Sequence, residues 1–288
     1  MQTAKLIVFS SLAIASLGLV CARAMAESDW QKSYPLHGRP SLSLSAGDSS
    51  LEVRSCGNCS QALIRVQWND RKSGDYILTE SQSGNHVSFA LKEKPNFGVH
   101  FHVVNYRNPQ VIVDSPAAAD VEARTADGSL NLSGIQGNLT LHTSDGSLDA
   151  TDVSGVLRFN SSDGSIRVHN AAGSIESHSS DGYATIDGRF SAIEIQSSDG
   201  SIDLTLNQGS KLTAASRIKS SDGSIKILVP ADFAAVVDLS VSDGHVDCKL
   251  PLTMDHYDSK QHIHGRLNGG QVPLEIHSSD GSVTLGRL

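Results

Sequence analysis

Ser144-Asp145-Gly146, Ser162-Asp163-Gly164, Ser180-Asp181-Gly182 and Ser198-Asp199-Gly200 recur at a strict interval of 18 residues, and that interval decides the fold. Ala126-Asp127-Gly128 opens the series, and Asp222, Asp243 and Asp280 continue it after insertions of 5, 3 and 19 residues. Six and four residues before each aspartate, and three and five after it, the side chain is nearly always aliphatic. Around Asp145 these are Leu139, Leu141, Leu148 and Ala150, and around Asp199 they are Ile193, Ile195, Ile202 and Leu204. Alternation at period two on both sides of a turn describes two short strands, each burying one face. One such coil cannot bury its aliphatics, whereas a stack of coils can. The pattern therefore predicts an all-β protein, a parallel β-solenoid of about 18-residue coils with two short strands per coil and neighbouring strands about 4.8 Å apart. Its end coils expose strand edges that need a cover.

Working outward from the repeats, the same template finds a displaced member at Asp48, with Leu42 and Leu44 before it and Leu51 and Val53 after it. Between residues 55 and 116 the period breaks, yet 62–68, 76–79, 87–91, 99–104 and 111–113 read as strands separated by Gly, Pro and Asn turns. Residues 1–26 carry Lys5, an apolar stretch and then Ala24-Met25-Ala26, the form of a secretory signal peptide. The expected organisation is thus a signal peptide over 1–26, an irregular β-rich N-terminal cap over 27–116 containing the displaced repeat, and a β-solenoid repeat domain over 117–288.

The chain has 288 residues, 39% hydrophobic and only 5% aromatic, which suits narrow cores of small aliphatic side chains. Beyond residue 26 it carries 21 basic against 31 acidic groups, so it lacks the basic face that nucleic acid needs. No hydrophobic run is long enough to remain in a membrane once the leader is removed.

The candidate chemistry starts with the aspartates. Asp127, Asp145, Asp163, Asp181, Asp199, Asp222, Asp243 and Asp280 read as structural turn residues. Each would accept hydrogen bonds from its own turn, with Gly at positive φ and flanking Ser hydroxyls in a ladder. The competing reading is calcium, because β-rolls with nine-residue half-turns also place aspartate in their loops. Cys56-Gly57-Asn58-Cys59 follows a strand, and in an oxidising compartment Cys56 and Cys59 are expected to form a disulfide. Cys248 falls on an inward position and reads as a buried free thiol. His142, His178 and His277 fall on outward positions, the first two about 10 Å apart, too far to share an ion. His100 and His102 share one side of a strand. His262 and His264, near His256 and Asp255, form a candidate adventitious metal cluster.

The repeats, together with Val113-Asp114-Ser115-Pro116 before the first regular coil and His264-Gly265-Arg266-Leu267-Asn268-Gly269-Gly270 before the last strands, resemble the bacterial "putative adhesin" family of β-strand repeat proteins. The resemblance covers residues 42–285 and implies an exported β-solenoid. It brings no catalytic residue or ligand with it.

These readings converge on an exported, non-enzymatic β-solenoid acting as a cell-envelope interaction, scaffold or adhesion module, periplasmic or at the cell surface. Its partner is an envelope protein or glycan, with no cofactor and no nucleic acid. Arg158, Arg167, His169 and Glu194 are expected on one long binding side. The alternatives are a carbohydrate-active enzyme on a β-helix, whose cleft would need the insertions, and a calcium-stabilised β-roll.

Overall fold

The computed structural model describes residues 29–95, 107–259 and 261–288. The expected leader at 1–26 and the expected strand 99–104 with His100 and His102 lie outside the described residues, as do the side chains of Asp255 and His256.

Each aspartate turn joins two strands that belong to opposite walls of a flattened coil. At Asp145, strand Gln136–Thr143 leads into the turn and Leu148–Thr151 leaves it. Leu139, Leu141, Leu148 and Ala150 point inward and are buried. The next coil repeats them one rung along, so that Leu139 pairs with Leu157 and Leu148 with Ile166 in parallel register. Two strands of 14 residues, Ile166–Ser179 and Ala184–Ser197, run round the corner opposite the aspartates and contribute to both walls. Among the described residues the walls therefore join into one 23-stranded, nearly closed sheet around the core.

The protein is all-β and solenoid-like, but the stack is mixed rather than purely parallel. At one end, His86–Glu93 and Gln110–Ser115 form the outermost coil, parallel to Ser41–Ser45 and Ser50–Ser55. Beyond it, Tyr76–Ser83 adds antiparallel to one wall, and Gln61–Gln67 and then Trp30–Pro35 add antiparallel to the other. Asp114 fastens this cover by accepting from Arg65 at 2.7 Å on the covering strand and from Arg54 at 2.5 Å on the coil beneath. At the far end, His262–Leu267 lies antiparallel to Ala235–Val241, and Thr253–Ser259 follows it. An antiparallel neighbour needs only a short reversal of the chain, so it closes an open strand edge with locally available residues.

Stacking order departs from sequence order at both ends. The coil of residues 41–55 sits inside the coil of 86–115 and directly against 120–133, with Leu42 opposite Val121 and Leu51 opposite Leu130. The last coil, Pro273–Ser278 with Val283–Arg287, lies between the coils of Asp222 and Asp243. One buried cluster runs from Tyr34 to Leu285, so the core has no break near residue 116.

The repeat glycines are required by close approach rather than by unusual dihedrals. Gly128, Gly146, Gly164, Gly182, Gly200, Gly223 and Gly281 do not take the positive φ expected from the turn sequence. Instead, a Cβ on Gly164 would stand 1.9 Å from the carbonyl oxygen of Gly146, and one on Gly182 would stand 2.2 Å from that of Gly164. The series continues from Gly223 to Gly281 at 2.3 Å and from Gly281 to Gly244 at 2.2 Å, tracing the stacking order and not the sequence order. Gly137, Gly155 and Gly173 make a second ladder of this kind, each placing a would-be Cβ 2.0–2.1 Å from the carbonyl of the preceding rung.

Gly164→Ala should therefore force neighbouring rungs apart and cost about 1 to 3 kcal/mol. Gly74→Ala is the control, because nothing lies within 4 Å of the added carbon and its φ is ordinary. Urea unfolding compares the two, and equal midpoints would contradict the close-approach account.

Candidate functional site

The wall that leads into the aspartate turns carries its outward side chains in rows along the stack. Three residues before the aspartates the row reads His142, Asn160, His178, Gln196, Lys219 and His277 in stacking order. One residue before them stand Ser162, Ser180, Ser198, Ser221 and Ser279. Between the two rows runs an open groove of about 460 Å³ that also reaches Ser161, Ser179, Ser197 and Ser220. Six rungs at a strand spacing of about 4.8 Å make it about 24 Å long.

The serines deepest in the groove are also the fasteners of the turns. Ser161 Oγ donates to the carbonyl of Gly164 at 2.8 Å and Ser179 Oγ to that of Gly182 at 3.2 Å. Ser197, Ser220 and Ser278 accept from the amides of Gly200, Gly223 and Gly281 at 3.0–3.1 Å. All five are buried, as are Thr125 and Thr143 at the equivalent position. A serine two residues before Asp163, Asp181, Asp199, Asp222 and Asp280 is the sequence signal for this role, whereas Thr143 at the same offset donates to the Ala126 carbonyl of the neighbouring rung.

The aspartate side chains behave differently from the expectation. The repeat aspartates sit at exposed bends, and among the described residues their carboxylates make no hydrogen bond. What those from Asp145 onward contribute to the stack is a backbone amide: Asp163 donates to the Ser144 carbonyl at 2.9 Å and Asp199 to the Ser180 carbonyl at 2.9 Å. With the turn held by the buried serine hydroxyl two residues earlier, the exposed carboxylate points into water. Water and salt keep the repulsion between neighbouring rungs near 1 kcal/mol or below. Among the described residues no group of three or more His, Cys, Asp or Glu is arranged to hold a metal.

Arg158 and Glu194 flank the groove wall, whereas Arg167 and His169 project from the opposite wall, because strands on the two sides of a turn belong to different walls. The expected single binding side is thus two faces. Arg158 is paired with Glu176 at 3.3 Å, and Arg167 with Asp149 at 3.6 Å. On the second face, Asp187 accepts from the Asn170 amide, His169 and Asn207. Burial works against its ionisation, but these bonds outweigh it and hold the carboxyl below its ordinary pKa.

His262 and His264 turn to one carboxylate, that of Asp238, at 2.9 and 3.7 Å. They fasten the end hairpin to the outermost coil. Ser240 Oγ stands 3.0 Å from His277 Nδ1 on the same wall, but Asp238 is engaged with His262 and His264. Among the described residues no carboxylate is hydrogen-bonded to His277 to orient it as a base. Cys56 and Cys59 are joined across their turn, Cα atoms 5.9 Å apart. Cys248 is a free, half-buried thiol whose pKa burial pushes up.

Residues 41–286, the span from the first strand of the displaced coil to the last strand of the stack, match the family described as Toastrack DUF4097. The chain belongs to the Toastrack DUF4097 family. No curated protein matches it. A solved "putative lipid binding protein" from Parabacteroides distasonis is 13% identical, with 90% of this chain and 96% of that one covered and a TM-score of 0.51. That likeness is one of fold. A "putative adhesin" from Bacteroides fragilis is 12% identical over 91% of this chain and 98% of its own, with a TM-score of 0.43. A "putative cell adhesion protein" from Clostridium sporogenes is 9% identical over 91% and 100%, with a TM-score of 0.29. Among the described residues of this Toastrack protein, no helix is long and apolar enough to cross a membrane.

The division of labour in the turn gives a paired test. Ser161→Ala removes a buried fastener and should cost about 1 kcal/mol. Asp163→Asn removes a charge that nothing receives and should leave the melting temperature unchanged or slightly raised, with or without a chelator. A chelator-induced fall in the wild-type melting temperature, or a larger loss in Asp163→Asn than in Ser161→Ala, would restore metal binding at the turn.

Proposed function

We propose that the protein is an exported, non-enzymatic envelope module that binds an extended partner along the serine-histidine groove. The observation that carries this reading is the groove itself. Its lining is hydroxyl, amide, imidazole and one ammonium group, repeated rung by rung, with no carboxylate among the described residues that line it. Glycoside hydrolysis works with a pair of carboxyl groups facing each other across the scissile bond, so this lining suits binding better than cleavage. Repetition at a fixed rung spacing suits a partner that is itself repetitive, such as an envelope polymer or an extended surface chain. Export is supported by the leader-like residues 1–26, and a Cys56–Cys59 bridge belongs to the same oxidising setting.

The test is co-sedimentation of the chain from residue 27 onward with isolated bacterial envelopes, alongside an assay for released reducing sugar and thiol alkylation of the unreduced, denatured protein. Saturable binding without sugar release, with alkylation at Cys248 alone, is the expected result. Sugar release would establish the enzyme reading, and absence of envelope binding would remove the adhesion reading.

A further inference from the structure

We infer that the ligand of this groove is an acidic glycan with a carboxylate on every second sugar, an inference that rests on the envelope-binding reading above and deepens it. The outward row three residues before the aspartates alternates in chemistry along the stack. His142, His178 and Lys219 stand on every second rung, Asn160 and Gln196 stand on the rungs between, and His277 ends the row one rung past Lys219. Imidazole or ammonium groups therefore recur about every 10 Å, separated by carboxamides. That interval is comparable to the length of one disaccharide in an extended glycan.

A chain laid along the groove would bring an acidic sugar against an imidazole or the Lys219 ammonium, and the next sugar against an amide. Serine hydroxyls line the other side of the groove, and among the described residues that line it there is no carboxylate to repel the acid. The charged groups flanking the row are engaged. Two residues earlier on the same strands, Glu176 is paired with Arg158 and Glu275 with Arg217, while Glu194 accepts from Gln196. Arg124, on the rung beside His142, is paired with Glu122. On the strand beyond His277, Asp238 is engaged with His262 and His264, and Ser240 meets His277 Nδ1.

Density of charge matters as much as its sign. Beyond residue 26 the chain carries 21 basic against 31 acidic groups, so a ligand carboxylate without a cationic partner is repelled. A glycan with an acid on every sugar would set such carboxylates opposite Asn160 and Gln196, and a neutral glycan would leave the cations unanswered. Histidine changes charge between about pH 5 and 8, so acidification through that range strengthens the hold on an anion while a uronate stays ionised.

The experiment is calorimetric titration of the purified chain with hexasaccharides of equal length: hexagalacturonate with a carboxylate on every sugar, a hyaluronan fragment with one on every second sugar, and chitohexaose with none. At about pH 5.5 the hyaluronan fragment should bind tightest, and its affinity should fall about tenfold or more at about pH 8. His178→Gln and Lys219→Gln should each weaken it about three- to tenfold, whereas Arg167→Gln on the opposite wall should not, with melting temperatures unchanged in all three. The inference is overturned if chitohexaose or hexagalacturonate binds as tightly as the hyaluronan fragment, if neither groove variant weakens binding, if affinity is the same at both pH values, or if no probe binds. Should the protein still sediment with envelopes in any of those cases, the envelope-binding reading stands while the alternating-acid inference falls.

Discussion

The structure depends on how closely one coil can approach the next at its corners. Wall strands set a spacing of about 4.8 Å, and the backbone at the aspartate turn must keep that spacing while reversing direction. There the carbonyl of one rung occupies the place where the next rung would carry a Cβ, 1.9 to 2.3 Å from the site of the missing carbon along the regular series. Only glycine tolerates this, and so the Asp-Gly turn recurs through the regular coils from Asp127 to Asp280, whereas the displaced coil carries Ser49 after its aspartate. Serine two residues earlier closes five of these turns from inside, and the aspartate side chain is left to solvent.

A stack built this way has two open ends, and the chain closes them with material from its own interior. Neither the coil of residues 41–55 nor the coil of 273–287 is outermost; each is covered by a coil encoded further inside the chain. Antiparallel strands then cover most of what remains open. The short strand Val246–Cys248, followed by Lys249 and Pro251, is a modest edge of the sort that resists adding another chain.

Much of the fold was legible because its rules are local. The offsets of Leu139, Leu141, Leu148 and Ala150 from Asp145 set which side chains are buried, and the structure places all four in the core. Stacking order was not legible, because Asp222, Asp243 and Asp280 have equivalent turns and only the connecting chain decides which coils meet. The role of the glycines was misread from turn chemistry: positive φ and close approach both demand glycine, and sequence does not distinguish them. For the groove, sequence placed His142, His178 and His277 outward, and their spacing argued against a shared ion. That these rows border a continuous trough beside a row of serines emerges only when the coils are stacked. Assigning Arg158 and Arg167 to one side ignored the turn between them, which sends them to opposite faces.

The order of the last rungs is the most direct test of the stacking account. Ser282 Oγ donates to Ser224 Oγ at 3.2 Å, whereas strict sequence order would instead place His245 beside Ser224. A pair of cysteines introduced as Ser224→Cys and Ser282→Cys lies within the reach of a disulfide between adjacent strands. Oxidation followed by peptide mapping should find the 224–282 crosslink in that variant and none in the Ser224→Cys, His245→Cys variant. A crosslink between 224 and 245, with 224 and 282 remaining reduced, would contradict the interleaved stack.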